Sequence, residues 1–290
     1  MNPSCTNSRE AVNTALRPDT PWHSLTRSQQ IRSIELDGYV LIPNLLSADL
    51  IESVGAELAR LETTPVDYSP HQRGYPQLEQ TDSPNAIGVV ALPAMIDFLT
   101  DLLGEHLICT SCGYAISEPG HPGIAIHTDS QPYGSRIFGV QASSPCLMRV
   151  LYYLDDLTPE RSPFKVIPRS HLSLHQDANP YQRYLSHPDE VMVTCAAGSA
   201  VVINQRVFHG NYPNYGDQAR RMLAIAYRPT WAGPIGDVAD RDPDQVDRLP
   251  PAVRPYFRSL NTRDIEFDLP NRPDNMARQA AGISPSRWDG

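Results

Sequence analysis

His127-Thr128-Asp129 is the stretch from which the fold and the chemistry of this chain are best inferred. Residues i and i+2 of an extended strand point to the same side, so His127 and Asp129 can hold one ion while Thr128 faces away. The remaining ligand has to come from elsewhere in the fold. Two imidazoles and one carboxylate on three corners of an octahedron leave three corners open, an arrangement that holds Fe(II) for oxygen chemistry.

His209 is the candidate for that remaining ligand, because it follows a run of strand character over residues 199–208. Turn-forming residues occupy positions 211–217, and a new strand opens at Arg220. Arg220 therefore places a cation at the start of the strand after the distal histidine, where it can bind a second acid. The pattern predicts a metal site with an adjacent anion site.

The order of the predicted elements is helical first and then strand-rich. Apolar residues recur with helical spacing over residues 27–36 and 48–62, and helix resumes near residues 92–103. From Leu107 to Tyr227 the apolar runs are short, β-branched or aromatic, and separated by turn signals, which is typical of a barrel or sandwich.

These motifs resemble the phytanoyl-CoA dioxygenase family of Fe(II)- and 2-oxoglutarate-dependent oxygenases. The Gly-Tyr strand of that family is matched at residues 37–43, followed by the amphipathic stretch 48–62. Its central block is similar to residues 150–158 and 163–171, and its last block to residues 198–220. The resemblance covers roughly residues 30–230.

The resemblance implies a mostly β fold with flanking helices and a double-stranded β-helix core, the cupin-like jelly-roll. It predicts one dioxygenase domain over residues 1–290. The N-terminal helices would occupy about 27–103, the jelly-roll core about 107–230 and a C-terminal tail 231–290.

The same resemblance implies Fe(II), the cosubstrate 2-oxoglutarate, and O2. His127, Asp129 and His209 are then the metal ligands and catalytic residues, and Arg220 pairs with the distal carboxylate of 2-oxoglutarate. Asn211 can add a hydrogen bond. Arg221 is not expected to share the role of Arg220, since adjacent strand residues face opposite ways.

The implied reaction is hydroxylation of an unactivated C–H bond of a small molecule, with release of succinate and CO2. Desaturation, epimerisation and ring chemistry are open to the same machinery. Retention of Asp129 favours oxygen transfer over halogenation, because related halogenases leave that ligand position to chloride. The alternatives are a non-oxidative metal-dependent jelly-roll enzyme and a catalytically silent binding protein.

Substrate contacts are sought beside the metal motif. Gln131, Tyr133 and Arg136 follow it directly in the sequence. Arg149 and Tyr153 share one face of the strand predicted over residues 148–154, and Tyr152 and Leu154 share the other. One of these two faces should line the cavity, and the sequence leaves both open.

The chain departs from the family pattern at two turns. The usual Asn-Gly-Pro is Arg161-Ser162-Pro163 here, and the usual Pro-Gly-Ser-His has Arg169 in the glycine position. Replacing glycine by arginine predicts a different backbone conformation or a different neighbour. His171, in the second turn, is interpreted as a buried structural histidine.

Composition narrows the class of partner. The formal net charge is −9 and the cationic residues are scattered, so no nucleic-acid partner is expected. No stretch is expected to span a membrane, and the N-terminus lacks the apolar region of a secretory signal, so a cytoplasmic location is expected. The partner is then a small-molecule substrate, and the oligomeric state is left open.

The five cysteines form no obvious disulfide framework. Cys109 and Cys112 have the spacing of a zinc or redox pair, but no second pair completes four ligands, so buried structural thiols are favoured. The segments 63–85 and 231–290 are predicted to border the cavity mouth as irregular lids, with a helix near 243–260.

Substitution of Asp129 tests the metal site. Anaerobic protein given Fe(II) and 2-oxoglutarate should develop the weak visible charge-transfer band of the chelate. Asp129→Ala should abolish that band, because one of three protein ligands is lost. Tight Zn(II) binding with no response to 2-oxoglutarate would instead support the non-oxidative enzyme.

Overall fold

The computed structural model describes residues 20–128, 147–173, 185–230 and 241–258. Within these ranges the chain forms eleven strands. They are β1 (Tyr39–Ile42), β2 (Thr64–Val66), β3 (Ser69–Tyr75), β4 (Leu107–Ser117), β5 (Ile124–His127), β6 (Met148–Tyr153), β7 (Phe164–Ile167), β8 (Val191–Val193), β9 (Ala200–Asn204), β10 (Phe208–Asn211) and β11 (Arg220–Pro229).

The strands form two sheets whose named pairs are all antiparallel. The larger sheet has the order β1-β9-β6-β11-β4-β3-β2, and the smaller has the order β5-β10-β7-β8. Consecutive strands such as β5 and β6 lie in different sheets, as in a jelly-roll. The predicted double-stranded β-helix is therefore confirmed.

The two faces of the larger sheet bury different side chains. Leu151 and Tyr153 of β6 pack with Phe164 and Val166 of β7 in a cluster between the sheets, which we call the inter-sheet core. Tyr152 and its alternating neighbours face the other way into a larger cluster beneath the helices, the outer core. The Arg149 and Tyr153 face of β6 is thus the one that points between the sheets.

Helices cover the outer core. They are α1 (Arg27–Asp37), α2 (Ala48–Leu58), α3 (Pro84–Gly88), α4 (Pro93–Leu103), α5 (Pro243–Arg248) and α6 (Arg254–Phe257). A capping box between Thr26 and Gln29 begins α1, and Gly38, with φ of 80°, ends it. The predicted helix 48–62 was too long, because α2 ends at Leu58 and Thr64, which precedes a proline, already begins β2.

Segment 63–85 is not the irregular loop that the sequence predicted. It contains β2, β3 and a 3-10 helix at Leu78–Gln80, and β3 extends the larger sheet by pairing with β4. The sequence pattern did not predict this pairing, because β2 and β3 are short and polar and β4, the partner of β3, is distant in the sequence. Gln72 of β3 hydrogen-bonds Ser117 of β4 on the inner face of the larger sheet.

Pro84–Leu103 qualifies by length and composition as a membrane-crossing segment, with hydropathy 1.8, contrary to the expectation that no stretch would. The segment is interrupted at Leu92, which has an extended backbone. Met95, Phe98 and Leu99 of this segment are fully buried in the outer core, and Leu92, Ile96 and Leu102 are half-buried. An apolar helix packed in a protein core meets the same criteria of length and composition.

A β-bulge in β4 explains the positions of two cysteines. Ser111 pairs with Ala226 and Cys109 with Tyr227, so β4 has one extra residue there. The extra residue puts Cys109 and Cys112 on the same face, and both are buried in the outer core. Burial raises the pKa of Cys109 to about 12. Both are therefore inert structural thiols, as predicted.

The C-terminal segment 241–258 packs as part of the outer core. Val246, Leu249, Val253 and Phe257 are buried there, and α6 contacts β4. The Arg241 guanidinium lies 4.8 Å from the Phe257 ring centre. These residues cover the face of β4 opposite the inter-sheet core, so the prediction that the tail borders the cavity was wrong for this part of it.

Phe257→Ala tests this packing. Removing a buried phenyl ring should lower the free energy of unfolding by about 3 kcal/mol, measured by chemical denaturation. Asp247→Ala is the matched control, because its side chain is 60% exposed, and it should change stability by less than about 0.5 kcal/mol. Equal losses in the two variants would contradict the packing described here.

Candidate active site

Two of the three predicted metal ligands lie face to face on adjacent strands. His209 of β10 pairs directly with His127 of β5, and their ring centres are 4.5 Å apart. The Nδ1 atom of His127 lies 2.8 Å from the Ala125 carbonyl, and that of His209 lies 2.9 Å from the Val207 carbonyl. A carbonyl only accepts, so Nδ1 carries the proton in both rings and Nε2 is the nitrogen that could bind a metal.

Close approach of β5 and β10 depends on Gly210. A Cβ atom there would collide with the Ile124 carbonyl oxygen and lie 3.2 Å from that of Ala125. The pairing also shifts between His209 and Asn211. Glycine therefore lets the strands approach where the two histidines lie opposite each other.

The third predicted ligand, Asp129, lies outside the described residues, as do Gln131, Tyr133 and Arg136. Among the residues that the structure does describe, no group of three His, Cys, Asp or Glu side chains could hold a metal. Two adjacent imidazoles, tilted 47° to each other, with fixed tautomers nevertheless fit an iron site that takes one further ligand. Asp129 stays the prediction for that ligand.

Arg220 is buried with an unneutralised charge. Its residue is 0% exposed, and Nη2 donates to Ser117 Oγ at 2.8 Å and to Ser162 Oγ at 3.4 Å. Nε and Nη1 have no hydrogen-bond partner, and in the described ranges no carboxylate forms an ion pair with this guanidinium. Burial lowers the pKa of Arg220, and nearby Tyr153 partly offsets this. Such a cation fits an anionic ligand.

Sequence analysis did not identify Ser117 and Ser162, which both contact Arg220. Ser117 Oγ accepts from Arg220 and so donates to Gln72 Oε1 at 2.6 Å, while Ser162 Oγ donates to the Tyr212 carbonyl. Both hydroxyls are thereby oriented to accept from the guanidinium. Ser162 lies in a turn that departs from the family pattern, and that departure could have identified it from the sequence. No sequence feature distinguishes Ser117.

Arg221 points the other way, as strand alternation predicts. Its Nε and Nη2 donate to the two oxygens of Asp155 at 3.0 and 2.7 Å, and its backbone amide donates to the same carboxylate. Arg161 also lies 3.3 Å from Asp155. This carboxylate is therefore fully engaged by Arg221 and Arg161, which leaves Arg220 without it.

Tyr153 and Asn211 connect the Arg220 region with the histidine strand. The Arg220 guanidinium lies 5.8 Å from the Tyr153 ring centre. Burial raises the pKa of the Tyr153 hydroxyl, and the charge of Arg220 and the amide of Asn211 partly offset this effect. Asn211 Nδ2 instead lies 3.4 Å from the Ser162 carbonyl.

Both turns that depart from the family pattern have a left-handed backbone at the position where the family has glycine. Ser162 has φ of 48° and Arg169 has φ of 67°. Of the two predicted alternatives, a side-chain neighbour is present at both positions: Ser162 contacts Arg220, and Arg169 lies 3.5 Å from Asp37. A non-glycine residue at positive φ costs about 1 kcal/mol.

His171 has a structural position, as predicted. It is 5% exposed, its Nε2 donates to the Glu35 carbonyl at 2.9 Å, and it packs against Gly38. A Cβ atom at Gly38 would lie 2.6 Å from His171 Nδ1, so the glycine that ends α1 also makes room for this ring.

Solved structures share this fold. HygX from Streptomyces hygroscopicus, with nickel, 2-oxoglutarate and hygromycin B bound, has a TM-score of 0.58 at 21% identity, over 71% of this chain and 88% of that one. The epimerase SnoN from nogalamycin biosynthesis has a TM-score of 0.60 at 20% identity, over 75% and 90%.

The carbocyclase SnoK, from the same biosynthesis, has a TM-score of 0.58 at 21% identity, over 73% of this chain and 87% of that one. SnoN and SnoK are both described as non-heme and alpha-ketoglutarate-dependent. At these identities the likeness establishes a common fold.

The family follows from the sequence. No curated protein sequence matches this chain. The family model for phytanoyl-CoA dioxygenase (PhyH) matches residues 34–222, a span that contains both paired histidines and Arg220. Because that span is more than half of the chain, this protein belongs to the phytanoyl-CoA dioxygenase family.

Proposed function

We propose that this protein is an Fe(II)- and 2-oxoglutarate-dependent dioxygenase that hydroxylates an unactivated C–H bond of a small molecule. The buried, unneutralised charge of Arg220 is the observation that supports this proposal most strongly. A fully buried guanidinium with two unpartnered nitrogens is costly unless a ligand neutralises it, and the distal carboxylate of 2-oxoglutarate suits it.

The residues divide the work between two sheets. His127 and His209 would hold the metal from the smaller sheet, with Asp129 as the predicted third ligand. Arg220 would hold the cosubstrate from the larger sheet, aided by the oriented hydroxyls of Ser117 and Ser162. The bound metal and cosubstrate supply the oxidative chemistry, and the pocket decides which bond is presented.

Two other functions receive less support. A non-oxidative metal enzyme would need the histidines but would leave the buried charge of Arg220 unexplained. A silent binding protein would not require both imidazoles to be held in the tautomer that a metal needs. The related folds include an epimerase and a carbocyclase, so hydroxylation is the finer part of the proposal.

Succinate formation in the absence of substrate tests the activity before the substrate is known. Protein given Fe(II), 2-oxoglutarate and O2 should form succinate slowly, as uncoupled turnover does. His127→Ala and His209→Ala should each abolish succinate formation, measured by mass spectrometry, because each removes a metal ligand. His23→Ala is the control, since His23 is exposed and remote from the site, and it should leave the rate unchanged.

A substrate screen under isotopically labelled O2 separates the reaction types. Hydroxylation should add one labelled oxygen atom to a product, whereas epimerisation would leave the product mass unchanged. Absence of succinate from wild-type protein that binds iron would contradict the oxidative proposal altogether.

Arg220 and Arg221 give a second, independent test. Arg220→Ala should weaken 2-oxoglutarate binding about tenfold to a hundredfold, since it removes a charge-assisted contact. Arg221→Ala should leave that affinity nearly unchanged and lower thermal stability instead, because Asp155 loses its partner. Titration of the anaerobic Fe(II) protein measures the affinity, and the reverse ranking would show that Arg220 is not the cosubstrate site.

A further inference from the structure

Tyr153 is a fully buried tyrosine on the face of β6 that points between the sheets. It is 0% exposed and packs with Leu151 and Phe164 in the inter-sheet core. Strand pairing sets it opposite Met222 of β11, so it is the diagonal neighbour of Arg220 on the same face. The Arg220 guanidinium lies 5.8 Å from the centre of its ring. Tyr153 and Arg220 therefore border the same part of the interior.

The Tyr153 hydroxyl has no hydrogen-bond partner among the described residues. Burial raises the pKa of this hydroxyl well above its usual value, even though the positive charge of Arg220 acts in the opposite direction. The hydroxyl therefore keeps its hydrogen and remains a neutral donor. A buried donor without an acceptor is costly, because folding has taken it out of water without a replacement hydrogen bond. A ligand that supplies an acceptor would remove this cost.

The free donors of Tyr153 and Arg220 are close together but do not contact each other. The hydroxyl and the guanidinium each affect the pKa of the other, yet no hydrogen bond joins them. Ser117 and Ser162 occupy Nη2 of Arg220 and leave Nε and Nη1 free. A carboxylate carries a negative charge and several acceptor positions on its two oxygens, so one such group can serve both side chains.

This part of the interior faces the strand that carries a predicted metal ligand. The ring of Phe164, which packs with Tyr153, has its centre 5.9 Å from that of His209. Asn211 of the same strand also acts on the pKa of Tyr153. A molecule that bound a metal at the two histidines and reached Arg220 would therefore pass Tyr153.

We propose that Tyr153 binds the distal carboxylate of 2-oxoglutarate together with Arg220, its hydroxyl donating to a carboxylate oxygen. Tyr153 then raises the selectivity of the site for an acidic 2-oxo acid. The sequence predicted a substrate contact at this position, and the proposal assigns the hydroxyl to the cosubstrate instead. This inference rests on the proposed function and adds a residue to the same site.

Tyr152 is the matched control for Tyr153. It is the adjacent residue of β6, it is also 0% exposed, and its hydroxyl also lacks a hydrogen-bond partner in the described part of the chain. It faces the outer core, where it packs with Tyr227. Substitution of either tyrosine by phenylalanine removes the same oxygen atom from an equally buried position, and only Tyr153 lies beside Arg220.

Two 2-oxo acids test the contact in the anaerobic Fe(II) protein. 2-Oxovalerate has the carbon chain length of 2-oxoglutarate but a methyl group in place of the distal carboxylate. Tyr153→Phe should raise the dissociation constant of 2-oxoglutarate at least about tenfold, because a hydrogen bond to a charged group is lost. It should change that of 2-oxovalerate by less than about twofold. Tyr152→Phe should change neither, and titration of the visible band measures all of these constants.

Melting temperatures separate ligand binding from a structural role. Without ligand, Tyr153→Phe should melt no lower than wild type, because the hydroxyl it removes has no partner in the protein. With Fe(II) present, 2-oxoglutarate should raise the melting temperature of wild type more than that of the variant. If Tyr153→Phe does not fold, Tyr153→Met, which also lacks the hydroxyl, should show the same selective loss of 2-oxoglutarate affinity.

The outcomes distinguish this inference from the proposed function. Unchanged 2-oxoglutarate affinity in Tyr153→Phe, equal weakening of both acids, or the same loss in Tyr152→Phe would overturn the role of Tyr153 alone. A ligand-free variant that melts well below wild type would do so too, since the hydroxyl would then have a partner within the protein. Wild-type protein that binds Fe(II) but not 2-oxoglutarate would overturn both the inference and the proposed function.

Discussion

The antiparallel pairing of β5 with β10 is the constraint on which the site depends. It sets His127 directly opposite His209, and it is possible only because Gly210 lets the two backbones approach. Backbone carbonyls then fix the tautomer of each ring, so that Nε2 is the nitrogen of each that could bind a metal. A side chain at position 210 would separate the strands and the histidines together.

The arginines show how the fold separates stability from function. Arg221 and Arg161 share the Asp155 carboxylate, so their charges are neutralised within the protein. Arg220 is buried more deeply and lacks such a carboxylate in the described ranges. An unneutralised buried charge lowers stability, and a ligand that restores the balance gains the corresponding free energy on binding.

The two faces of the larger sheet carry side chains of different size. The outer core joins the helices, including the C-terminal pair, to one face of the larger sheet with large apolar side chains. The inner face carries small, only partly buried residues such as Ala224 and Ala115. Large apolar side chains are therefore concentrated on the face of the sheet opposite Arg220.

The sequence by itself determined the fold class, both described metal-ligand candidates and the choice of Arg220 over Arg221, because these follow from strand periodicity and local motifs. It also predicted His171 as structural. It did not reveal that β2 and β3 extend the sheet, since polar strands are recognised only through distant partners. Nor could it decide which face of β6 lines the interior, or that Ser117 and Ser162 orient Arg220. Those features depend on which strands become neighbours, and strand neighbours are chosen by the packing of the whole chain.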